Sequence, residues 1–162
     1  MATLTVRSGM SNFGLVTHVT MIAEERIRAQ TKFHGSPLFA GLEAMAQLSA
    51  LHVRFNAEFE CHAFLLKVGR WVFPQISGLN GRFVLSADLR SHSRSAFLYH
   101  AEALGPGSER FSAELLIGTQ PYDARFCRER IRAHYRKLLA DALAPQKHHH
   151  KAGLMDGTEG SP

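Results

Sequence analysis

The chain has 162 residues, is 45% hydrophobic and 20% charged, and carries a formal charge of +5. These values describe one ordinary globular domain with a real core and an attraction to acidic partners. No apolar run approaches the roughly 18 residues that a membrane span needs, and residues 1–7 have no signal-peptide core. The two cysteines, Cys61 and Cys127, lack metal-ligand spacing, which fits a reducing cytoplasm.

Residues 13–20 read as a first strand. A second follows at once, where Ile27, Ala29, Thr31 and Phe33 alternate with Arg28, Gln30 and Lys32 at the period of a half-buried strand. Residues 33–47 are the most informative stretch. A turn-rich segment containing His34, Gly35 and Pro37 runs into an apolar helix, expected from about Gly41 to Phe55. Residues 44–53 carry no formal charge. A helix apolar on nearly every face is buried, not laid on a surface. Glu43, read as a first-turn residue, therefore opens a core helix, where an ionised carboxylate is costly unless it is paired or used. Gln47 lies one turn further on and shares its face.

Beyond the helix, residues 63–73 read as a strand that Pro74 must end or place at an edge. Three further alternating segments run through Phe83–Leu89, Phe97–Ala103 and Phe111–Ile117. Turn clusters separate them at residues 77–81, 91–95 and 105–108, and the last two loops are short enough for antiparallel hairpins. Two strands, one buried helix and about four strands are satisfied economically by a single antiparallel sheet wrapped around that helix. Such a sheet leaves an edge, so a dimer is expected.

After Thr119 the spacing of Cys127, Ile131, Tyr135, Leu138 and Ala142 predicts an amphipathic helix, with Asp123 as its N-cap. Arg125, Arg128, Arg132 and Arg136 form a basic stripe, read as a solvated face or a docking site for an acidic carrier protein. The organisation is thus an α+β domain over residues 1–120, a basic helix over 121–144, and a tail over 145–162 too poor in apolar residues to pack. His148, His149 and His150 belong to that tail and read as solvated, with stray metal binding the alternative.

The pattern Phe33-x-Gly35-x-Pro37, followed by Gly41-Leu42-Glu43-Ala44-Met45-Ala46-Gln47-Leu48, resembles the hotdog-fold 3-hydroxyacyl-ACP dehydratases. The likeness extends over residues 13–119: Phe13–Val19 looks like the opening strand of that fold, and Ala63–Trp71 like the strand after its central helix. The resemblance implies a cytoplasmic lyase of fatty-acid or polyketide-type biosynthesis, working as a homodimer or a hotdog heterodimer. Its substrate would be a thioester of acyl carrier protein or CoA, and neither metal nor cofactor is implied. In that family a loop histidine and a helix acid act together between two subunits. Glu43 falls on the acid position. Matched without gaps, the histidine position holds Lys32, and His34 takes the role through a shortened loop. The family's other histidine, near the domain start, has no counterpart in Arg7-Ser8-Gly9-Met10.

Dehydration needs a base at C2, an acid for the leaving hydroxyl, and donors for the thioester oxygen. The resemblance makes His34 the base and Glu43 the acid, with the amides of Gly41 and Leu42 holding the oxygen and Gln47 beside them. The plainer readings are a structural loop histidine at His34 and a dipole-favouring carboxylate at Glu43. His52 reads as a satisfied core histidine, and Ser49 as bonded back to its own helix. Nucleic acid is not expected, because no aromatic platform interleaves the basic residues. Two alternatives share the fold: an acyl thioesterase in which Glu43 activates water, and a non-catalytic subunit of a heteromeric dehydratase.

Overall fold

A computed structural model describes residues 14–122 and 128–143. Strands β1 (His18–Ala23) and β2 (Arg26–Ser36) form a hairpin, and α1 (Phe39–Asn56) follows. Then come β3 (His62–Val72), β4 (Leu79–His92), β5 (Ala96–Leu104), β6 (Arg110–Gln120) and α2 (Arg128–Leu143). The six strands make one sheet in the order β1-β2-β4-β5-β6-β3, with every neighbouring pair antiparallel. This is the α+β arrangement expected, one sheet around one central helix.

The alternation in each strand decides which face meets α1. On the inner face Ala87, Ala101 and Ala113 stand directly opposite one another across β4, β5 and β6, all essentially buried. Three methyl side chains in a row leave a trough in which a helix can approach the sheet closely. Larger residues flank it: Phe83, Leu85 and Phe111 on one side, Tyr99, Leu115 and Ile117 on the other. Gly41 sits where a Cβ would lie 3.3 Å from Leu79 Cδ1 and 3.6 Å from Phe111, so the first turn of α1 is also tight against the sheet.

Several boundaries differ from the sequence reading. The first strand begins at His18, not Phe13, and residues 14–17 lie outside any regular element. Helix α1 begins at Phe39, two residues early, because Ala40 and Gly41 donate to the carbonyls of Pro37 and Leu38 and close a tight initial turn. Glu43 is consequently a second-turn residue, and no acid stands in the first. Strand β4 extends into both expected turns, leaving residues 77–78 and 93–95 outside it, since Asn80 and Gly81 pair with His34 and Phe33, and Ser91 and His92 with Leu98 and Phe97. Ladder pairing on neighbouring strands overrides the local turn preference. Asp123, Arg125, Cys127 and the tail lie outside the described residues.

Most polar groups inside the core have partners, although Arg54 Nε has none among the described residues. Ser49 donates to the Met45 carbonyl at 2.9 Å, as expected of a mid-helix serine. His52 is fully buried, with Nε2 2.6 Å from the Ala23 carbonyl and Nδ1 2.8 Å from the Tyr99 hydroxyl. A carbonyl only accepts, so Nε2 carries the proton and Tyr99 donates to Nδ1. Arg54, in the last turn of α1 and 5% exposed, donates to the Ala63 carbonyl and lies 3.9 Å over the ring of Tyr135 from α2. Burial pulls its guanidinium below the ordinary arginine pKa. Helix α2 is fastened further by Arg128 and Arg132, which both pair with Glu60, and by Leu139, which joins the core. Two members of the basic stripe are therefore spent on a carboxylate of the same chain, partly open to solvent, while Arg136 is exposed.

Desolvation holds His52 below its ordinary pKa of 6.5, the Ala23 carbonyl opposing it weakly. The unfolded chain takes up that proton near pH 6.5 and the folded chain only at lower pH, so this contribution is complete above 6.5 and is lost as pH falls below it. Urea unfolding followed through Trp71 fluorescence should show stability falling by at most about 1.4 kcal/mol per pH unit in that window from this group. A His52→Gln variant, weaker at neutral pH, should show a shallower decline; an unchanged slope would remove His52 as its source.

Candidate functional site

Strand β2 leads into the site through a bulge. Gly35 adopts φ +62°, a left-handed conformation open to glycine at little cost, and its N–H donates to Asn80 Oδ1 at 2.7 Å. The register of β2 against β4 slips between His34 and Ser36, and the chain turns through Pro37 into α1. Among the described residues no side chain caps that helix start.

One stripe of α1 is less enclosed than the rest. Phe39 is 56% exposed, and Leu42, Glu43 and Gln47 are half-buried on successive turns of the same side. Gln47 Nε2 donates to Glu43 Oε1 at 3.1 Å, as the shared face predicts, and Gln47 Oε1 accepts the Leu15 N–H at 2.9 Å. The amide is thus held from both ends and orients the carboxylate. Among the described residues no cation pairs with Glu43. A half-buried carboxylate steadied by a neutral amide keeps an oxygen able to take or give a proton, which an ion pair would discourage.

The other expected site residues are placed as follows. Leu42 lies beside Glu43 on the less enclosed stripe. The Gly41 N–H is engaged by the Leu38 carbonyl at 3.1 Å and would have to leave it to hold a substrate oxygen. His34 is exposed on β2, in phase with Arg28 and Lys32 and out of phase with the buried Phe33. Lys32, the ungapped alternative, stands on the same outer face. Within one chain, then, α1 brings Glu43 and Gln47 together, while the strand alternation sends His34 to the side away from the helix. Two participants escaped sequence reasoning. The Leu15 amide has no side-chain signal at all, whereas Asn80, next to Gly81, looked only like a turn residue.

No family model and no curated protein sequence matches the chain. Solved structures do match in fold. A mutant thioesterase from Pseudomonas aeruginosa is 15% identical, covering 64% of this chain and 81% of its own, with a TM-score of 0.53. The dehydratase heterocomplex ApeI:P from Xenorhabdus doucetiae is 11% identical, covering 72% and 88%, with a TM-score of 0.56. A hypothetical thioesterase protein with coenzyme A from Streptococcus pneumoniae is 8% identical, covering 66% and 88%, with a TM-score of 0.52. At these identities the likeness shows the fold, and the fold is hotdog.

Substituting Gln47 by Leu should release the Leu15 amide and leave Glu43 unsupported, at a cost of about 1–3 kcal/mol for the groups left unsatisfied. Hydrogen exchange read by mass spectrometry should then quicken across residues 14–17. Unchanged protection there would show that the segment is held by other contacts.

Proposed function

We propose that this protein is an enzyme acting on acyl thioesters, with Glu43 as the catalytic carboxylate and hydrolysis as the reaction its site supports best. The observation that carries this reading is the Gln47–Glu43 pair, set on the half-open stripe of an otherwise buried helix. Glu43 would accept a proton from water as that water attacks the thioester carbonyl, and the thiolate would leave as the acyl group becomes a carboxylic acid. Leu42 and Gly41 would line the substrate near the helix start, with Gln47 keeping the carboxylate in register. Hydrolysis needs no second titrating side chain, which suits a chain whose His34 faces away from α1.

Dehydration of a 3-hydroxyacyl thioester is the second reading, favoured by the motif around Glu43 and by the likeness to a dehydratase heterocomplex. It requires a base opposite Glu43, supplied by His34 of another subunit or by a partner chain. Both readings gain from pairing. Strand β3 ends the sheet and exposes Leu65, Leu66 and Val72 along it, with Phe73 just beyond its end. An exposed edge of this kind is covered by a second hotdog chain in our reading, as homodimer or heterodimer. Light scattering at micromolar concentration should report a dimer, and a stable monomer would count against it.

Mass spectrometry of acyl-CoA, acyl-ACP and 3-hydroxyacyl-ACP after incubation with the protein separates the readings. Loss of the acyl group marks hydrolysis, loss of water marks dehydration, and no change marks a subunit that needs a partner. Glu43→Gln keeps the shape and cannot transfer the proton, so either activity should fall about 10²–10⁴-fold with the fold intact. His34→Ala should leave hydrolysis unaltered and abolish dehydration. A folded Glu43→Gln protein with full activity would take Glu43 out of the site.

A further inference from the structure

The outer face of the sheet, turned away from α1, carries a charge arrangement that neither the fold nor the site accounts for. Lys32 on β2 stands directly opposite Arg82 on β4, and both are exposed. Like charges directly opposite each other weaken a ladder. Arg28, also exposed, follows opposite Ser86, and Arg110 on β6 stands opposite Leu104. Among the described residues Arg28, Lys32 and Arg82 have no ion pair. Inside this arc Val84 and Leu104 face one another across β4 and β5, 45% and 43% exposed. They share a shallow depression with Arg28, Ser86, Glu102 and Arg110. Its one carboxylate, Glu102, is 3.6 Å from Arg110 and 3.5 Å from His100.

We propose that this face docks an acidic amphipathic helix of a partner protein. Its apolar side chains would cover Val84 and Leu104, and its carboxylates would meet Arg28, Lys32, Arg82 and Arg110. Strand addition is excluded, since β4 and β5 are paired on both sides and offer side chains only. A second copy of this chain would set cations against cations. Nucleic acid would leave the apolar pair unused, and the depression holds no aromatic ring for a base to stack on. The patch lies on the opposite side of the sheet from Glu43, so the inference stands apart from the catalytic reading.

Fluorescence anisotropy with a labelled amphipathic peptide, a leucine stripe flanked by glutamates, tests it. The full chain should bind this peptide in preference to its lysine counterpart, to duplex DNA and to phosphatidylglycerol vesicles. Arg28→Glu with Arg82→Glu should weaken binding about tenfold or more. Val84→Ser with Leu104→Ser should weaken it severalfold at unchanged charge, and Glu43→Gln should bind as the parent does. Arg82→Glu alone should raise the thermal midpoint, because it turns the repulsion with Lys32 into a pair. No peptide binding, or binding indifferent to Val84 and Leu104, would overturn the proposal. So would DNA or vesicles binding more tightly than the peptide, or a lower midpoint for Arg82→Glu.

Discussion

Everything in this structure depends on enclosing α1 on nearly all sides. An 18-residue helix can be swallowed only if the sheet curves around it and its polar side chains find partners inside. The alanine row on β4, β5 and β6 provides the seat. His52 ties the C-terminal half of the helix to the β1–β2 hairpin through Ala23 and to β5 through Tyr99. A buried network of this kind has one satisfactory geometry, and it sets helix, hairpin and sheet in a single mutual position.

The two ends of the helix are treated differently, and the difference locates the chemistry. At the C-terminal end Arg54 brings a positive charge toward the helix carbonyls, as the dipole favours, and α2 closes over it with the Tyr135 ring. The N-terminal end has no capping side chain among the described residues, is pinned by Pro37 and Leu38, and leaves Phe39, Leu42, Glu43 and Gln47 only partly covered. The Glu43 carboxylate there is half-buried and still within reach of a bound molecule. The sheet shows a similar division between an inner face without charge and an outer face crowded with arginine and lysine.

Much of this was legible in the residues. The charge-free run over residues 44–53 announced a buried helix, the alternation in each strand marked its inner face, and the four-residue spacing joined Gln47 to Glu43. Boundaries were less legible. Asn80-Gly81 and Ser91-His92 look like turns by composition, yet they lie within β4 because neighbouring strands offer their backbones as partners. The helix start has no local mark, because Leu38 and Phe39 carry no capping signal and the hydrogen bonds that begin the helix are backbone to backbone.

The sequence by itself determined the local facts: one buried helix, one carboxylate near its start with an amide on the same face, and alternating strands enough to wrap it. These follow from periods of 3.6 and 2, which any short window of residues displays. Only the tertiary structure decided that β3 lies beyond β6 at the edge, that the Leu15 amide reaches Gln47, and that His34 stands across the sheet from Glu43. It alone set Lys32 against Arg82. Strand order and register belong to pairings between residues distant in the chain, chosen by the packing of the whole domain, and no local period records them.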